Sequence, residues 1–138
     1  MDSLIVAEKL EALRRCVKRI EDKRTVSGEA LRQDIDRQDI LSLNLTRAVQ
    51  LCVDVATHIL TDTDQPAPQT MGEAFDLLAA QNIISDTLCV HMRAAVGFRN
   101  IAVHNYQVID WDIVHTITHQ GLDDFREYAS RIAALLDE

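Results

Sequence analysis

The sequence predicts an all-α fold: an antiparallel bundle of four main helices with short helices between them. Three observations carry that expectation. Apolar residues in the long segments recur at alternating spacings of three and four, the period of one helix face. No segment sustains the period-two alternation of a half-buried strand. Turn formers and candidate capping residues separate the apolar stripes. The 138 residues are 47% hydrophobic with only four Gly and two Pro, which reads as one domain spanning 1–138 with a sizeable core.

The first helix is expected over 2–22, where Val6, Leu10, Leu13, Val17 and Ile20 form one stripe. Thr25, Ser27 and Gly28 break it, and a short helical piece follows over 28–33. The longest helix should start near Asp36 or Asp39 and stop near Asp62. Leu41, Leu45, Ala48, Cys52, Val55 and Ile59 form one stripe, with Val49, Val53, Ala56 and Leu60 beside it. A helix apolar over that much of its circumference belongs at the centre of a bundle. Pro66 and Pro68 make 63–69 a loop, since proline cannot sustain helical hydrogen bonds.

A short helix begins at Thr70 or Gly72 and carries Phe75, Leu77 and Leu78. Ser85 is placed to cap the next helix, whose Leu88, Met92, Ala95 and Val96 lead towards position 100. The chain should turn at about 105–110. Asp110 then caps a last helix over 111–136, with Val114, Ile117, Gly121, Phe125, Tyr128, Ile132 and Leu135 as its stripe.

Charge is unevenly spread. The net charge is −8, yet residues 1–24 hold seven of the fourteen Lys and Arg against five acids. A chain of that sign repels nucleic acid and leaves only local basic surface to bind it. The basic first helix is either a solvated face with ion pairs along it or an RNA-facing or docking edge. Cys16, Cys52 and Cys89 are far apart in apolar helical patterns, which suits small buried hydrophobes rather than a disulfide framework or zinc knuckle. There is no signal pattern and no long uncharged apolar run, so a soluble, cytoplasmic protein without membrane contact is expected.

Chemistry concentrates in Gly97-Phe98-Arg99-Asn100-Ile101-Ala102-Val103-His104-Asn105-Tyr106. Arg supplies a permanent planar cation suited to phosphate. His gives or takes a proton near neutral pH, and Tyr adds a phenolic hydroxyl. On a helix Asn100 and His104 are neighbours, while Arg99 and His104 stand about 140° apart. A long Arg side chain can curl round that angle, or a second copy of the helix can complete the site across a two-fold axis.

Arg99 to Tyr106 fits the pattern Arg-x4-His-x-Tyr and resembles the signature of the HepT family within the HEPN superfamily. Asn44 to Ile59 is similar to that family's second helix, and Asp112-Ile113-Val114 and Leu122-Asp123-Asp124-Phe125 resemble its last. The likeness covers residues 35 to 135; the first helix matches less clearly. It implies the toxin of a type VII toxin–antitoxin pair, a metal-independent endoribonuclease acting as a homodimer, with no cofactor. It also implies neutralisation by an MntA-like nucleotidyltransferase that transfers AMP onto the motif tyrosine, here Tyr106. The catalytic pair would then be Arg99 and His104. Asn100 would support them by fixing the imidazole or holding the backbone, and Tyr106 would contact a phosphate or stack on a base. An alternative stays open: a non-catalytic HEPN-type module that binds nucleotide or a nucleotidyltransferase partner.

Two further pairs stand at i,i+4. Asp54 and His58 suggest a buried pair locking helix packing, or a supporting role near the site. His115 and His119 have a spacing that can bind zinc, but no third ligand is evident. Asp112 and His115 match one half of a di-iron motif whose second half is missing. No metal is therefore expected.

Overall fold

The computed structural model describes residues 2–137. Seven α-helices run in order: α1 Ser3–Lys23, α2 Gly28–Arg32, α3 Ile35–Leu60, α4 Met71–Ala80, α5 Asp86–His104, α6 Trp111–Thr116 and α7 Leu122–Leu136. No strand occurs among the described residues, in line with the all-α expectation.

Each boundary has a local cause. Helix starts leave backbone N–H groups without partners, and short polar side chains supply acceptors. Ser85 Oγ accepts from Leu88 N at 3.0 Å, and Asp110 Oδ1 accepts from Asp112 N at 2.9 Å, as their positions predict. Thr70 caps α4 in the same way. The long helix starts earlier than expected. Asp34, not Asp36 or Asp39, is its cap, accepting from Arg37 N at 3.0 Å and from Arg37 Nε at 3.1 Å. That second bond adds an ion pair to the cap, which favours the earlier start.

The final helix is not continuous over 111–136. A π turn, Ile117–Gly121, separates α6 from α7. Such a turn widens the backbone and frees carbonyls that then need other partners. Arg24 Nη1 donates to the Thr118 carbonyl at 3.2 Å, and His119 Nε2 lies 2.7 Å from the Thr25 carbonyl. The loop after α1 therefore holds the turn, a contact spanning more than ninety positions that periodicity alone does not reveal.

Helix α3 is the central element, packing against α1, α4 and α5. Leu41, Leu45, Ala48, Cys52, Ala56 and Ile59 are buried along it. Fully burying one such leucine or isoleucine stabilises the fold by roughly 1.5–3 kcal/mol. Tyr128 is wholly buried and donates from Oη to the Cys52 carbonyl at 2.8 Å. Its ring meets Phe75 edge-on, with centroids 5.8 Å apart. All three cysteines are buried and free. No helix among the described residues is long and apolar enough to cross a membrane.

Candidate active site

Helix α5 buries Leu88, Cys89, Met92 and Val96 against the core and carries the polar stretch in its last turns. His104 is its final residue. Asn105 leaves the helix with an extended φ of −151°, while its N–H still donates to the Ile101 carbonyl at 2.8 Å. A 3-10 turn, Tyr106–Val108, follows at once and swings the tyrosine back over the start of α3.

Arg99 is half-buried. Its Nη1 donates to Asn100 Oδ1 at 3.2 Å, and its buried Nε has no acceptor among the described residues. A guanidinium carries five N–H donors, and Asn100 takes only one, so the Nη groups keep donors without a partner among the described residues. His104 is exposed and makes no side-chain hydrogen bond with the described residues. Asn100 thus engages the guanidinium; the contact with the imidazole that helix spacing suggests is not made. Arg99 and His104 are separated by about 7.5 Å of helix rise.

Tyr106 is 39% exposed. Its Oη donates to Asp39 Oδ1 at 2.7 Å, and its ring packs edge-on against Trp111 with centroids 5.8 Å apart. Partial burial, reinforced by the Asp39 hydrogen bond and charge, pushes the Tyr106 phenol up to about 12. Asp39 and Trp111 are site neighbours that sequence reasoning misses, since local pattern offers Asp39 only as a place near which the long helix starts. A signal is present in principle: an acid on the exposed side of α3, one turn past the true cap, with no capping work to do.

The outer face of α5 is apolar and open. Val90, Ala94, Gly97 and Ile101 are exposed at spacings of four, three and four, and His104 continues the stripe. A Cβ built on Gly97 meets nothing within 4 Å. Beside this stripe a groove of about 700 Å³ runs between α5, α6 and α7, lined by Phe98, Ile109, Ile113 and Phe125 among others.

The other sequence candidates fall elsewhere. Asp54 and His58 do not form a buried pair. Asp54 accepts from Gln50 Nε2 at 2.9 Å and pairs with Lys9 Nζ at 3.6 Å, because α1 brings an ammonium to that face of α3. His115 and His119 stack with ring centroids 4.4 Å apart. Asp112 pairs with Arg32 rather than with His115. Among the described residues no group of three or more His, Cys, Asp or Glu side chains is arranged to hold a metal ion.

The family model for ribonuclease HepT-like proteins matches residues 10–132. The chain belongs to the ribonuclease HepT-like family. Within that family it is 37% identical to the mRNA nuclease HepT of Shewanella oneidensis over 130 residues, covering 94% of this chain and 97% of the relative. It is 24% identical to the tRNA nuclease HepT of Aphanizomenon flos-aquae, covering 99% and 92% respectively. The fold also superposes on the solved structure of a tri-AMPylated Shewanella oneidensis HEPN toxin in complex with its MNT antitoxin. That match has a TM-score of 0.88 and 36% identity, and covers 97% of this chain and 98% of that one. The HepT-like match includes α5 and the 3-10 turn, so the Arg99–Tyr106 stretch lies inside it.

Proposed function

We propose that this HepT-like chain is the toxin of a toxin–antitoxin pair. It cuts RNA without a metal at a site built from Arg99 and His104, and an MntA-like nucleotidyltransferase neutralises it by transferring AMP to Tyr106. One observation carries the reading. The end of α5 presents a guanidinium with an unpartnered Nε and an exposed imidazole, and the next turn adds a half-exposed phenol. The two HepT relatives named as nucleases support it, as does the tri-AMPylated toxin bound to its antitoxin.

The chemistry follows from these groups. In metal-free cleavage the ribose 2′-oxygen attacks phosphorus, the bond from phosphorus to the 5′-oxygen breaks, and a cyclic phosphate and a 5′-hydroxyl result. One group takes the 2′ proton and another gives a proton to the departing 5′-oxygen; well-placed acid and base each contribute about 10²–10⁴-fold. A protomer has one motif imidazole. A homodimer has two, and the exposed apolar stripe leading to His104 supports pairing of two copies along α5. The two His104 side chains then share the roles of base and acid, or one acts with solvent. Arg99 stabilises the charge that builds on the non-bridging oxygens. Asn100, bonded to Arg99, limits the orientations of the guanidinium. The reading places the protein in the cytoplasm, where its RNA substrate and nucleotidyltransferase partner are found.

Modification of Tyr106 inhibits on the same geometry. AMP transfer replaces the hydroxyl proton with a phosphodiester, so the hydrogen bond to Asp39 is broken and an anion is left beside a carboxylate. Repulsion from Asp39 turns the new group away, and the Arg99 guanidinium is the free cation in the motif that can pair with it. Expression tests this reading. Alone, the protein should arrest growth; a co-expressed MntA-like partner should relieve the arrest of the wild type but not of Tyr106→Phe. Equal relief of both forms would remove Tyr106 from the mechanism.

A further inference from the structure

A second polar feature lies outside the motif, in the groove between α1 and α3. This groove of about 640 Å³ is lined by Arg15, Arg19 and Arg47, with Leu43 and Asn44 on the α3 side. The two helices are antiparallel, and two contacts set their register. Arg37 Nη1 donates to the Lys23 carbonyl at 3.3 Å, and Lys9 Nζ pairs with Asp54 at 3.6 Å. The groove occupies the span between those contacts.

Two of its three guanidiniums have no ion pair among the described residues. Three of the six basic residues of α1 are held close to acids: Arg14 by Glu11, Lys18 by Asp22 at 2.7 Å, and Lys9 by Asp54. Arg19 and Arg47 have no ion pair or side-chain hydrogen bond among the described residues, and Arg15 reaches Glu11 only at 3.9 Å. Asp54 is the one acid of the lining, at the far end and already paired with Lys9. Three guanidiniums are thus gathered on a chain of net charge −8.

The groove also begins beside the motif. Asp39, the partner of Tyr106, precedes the groove residue Ile40 and lies one turn before Leu43 and two turns before Arg47. From Asp39 to Gln50 the face runs about 16 Å, at 1.5 Å per residue. Leu43 is 49% exposed and offers an apolar floor between the cations. A positive groove with an apolar platform is what a single strand needs: phosphates meet the cations while a base face lies on non-polar surface.

We infer that the α1/α3 groove is an RNA-backbone track, in which Arg19, Arg15 and Arg47 hold phosphates of the single strand flanking the scissile bond. The inference rests on the ribonuclease reading of the motif, but its binding test stands apart from cleavage. It also gives the basic first helix a role.

The test measures binding of a labelled single-stranded RNA to the His104→Ala protein over a range of salt. Replacing Arg15, Arg19 and Arg47 together with Gln should lower the slope of log affinity against log salt by about 2, near 0.7 for each phosphate no longer neutralised. Arg19→Gln and Arg47→Gln singly should each remove about 0.7, which keeps the test available if the triple variant does not fold. With His104 intact, the triple variant should raise KM for a long RNA and leave cleavage of a dinucleotide unchanged. An unchanged slope would overturn the track while leaving the nuclease in place, and so would an effect confined to binding of the nucleotidyltransferase. If the wild type cuts no RNA yet the Arg-dependent slope is found, the track stands and the nuclease reading fails.

Discussion

Tyr106 Oη donates to Asp39 Oδ1 at 2.7 Å, joining the turn after α5 to the first turns of α3 across 67 positions of sequence. The same hydroxyl is the proposed acceptor of AMP. Asp39 therefore adds to the hold that burial gives the phenol on its proton, and its carboxylate would face the phosphodiester of the proposed modified state.

Asp39→Asn should lower the Tyr106 pKa from about 12 part of the way towards its ordinary value near 10. The fall is partial because burial, the larger cause, remains. The sequence has only two tyrosines, so tyrosinate absorbance in a Tyr128→Phe background reports Tyr106 alone. A titration curve identical with and without the carboxylate would show that Asp39 exerts no hold on the phenol.

Alkaline stability follows with a definite sign. In the unfolded chain Tyr106 loses its proton near pH 10, whereas folded it keeps the proton to about 12. The folded state binds more protons within that window, so stability is whole below pH 10 and declines as pH rises towards 12. Buried Tyr128 and Cys52 are raised as well and act in the same direction. Urea midpoints should drop between pH 9 and pH 11, and drop less in Tyr106→Phe than in wild type. A larger drop in the variant would contradict this ordering.

Tyr128→Phe separates packing from chemistry. It removes a wholly buried hydrogen bond to the Cys52 carbonyl while keeping the ring on Phe75. The cost should be about 1 kcal/mol, seen as a lower urea midpoint with unchanged slope. RNA cleavage at a temperature where both forms are folded should not change. A fall in cleavage would place Tyr128 in the functional machinery.

Gly97 tests the paired copies. Within one protomer a Cβ there meets nothing, so Gly97→Ala should favour the α5 helix of the single chain by about 0.5–1 kcal/mol. Gly97→Trp should leave helix content intact and abolish both dimerisation and cleavage, because the indole stands on the stripe that runs to His104. A fully active, dimeric Trp variant would move the seam to another face.

Long apolar stripes and short polar caps are local signals, which is why α1, α3, α5 and the caps Ser85 and Asp110 can be read directly. The polar stretch is equally visible, since Arg99, Asn100, His104 and Tyr106 lie within eight positions. What cannot be read depends on chain segments meeting across the fold. The π turn is held by Arg24 and the Thr25 carbonyl from the loop after α1. Asp54 turns to Lys9 on α1 rather than to His58 on its own helix. Asp39 reaches Tyr106 only because α5 ends where α3 begins. Helix spacing shows which contacts are possible, and packing chooses among them.

The central claim is that Arg99 and His104 act together on an RNA phosphodiester without a metal. Single-turnover cleavage of a labelled RNA in excess EDTA, comparing wild type with Arg99→Ala and His104→Ala, tests it most directly. The account predicts wild-type cleavage unaffected by the chelator and a fall of about 10²-fold or more in each variant. Cleavage by His104→Ala at the wild-type rate, or none by wild type until a divalent ion is restored, would contradict it.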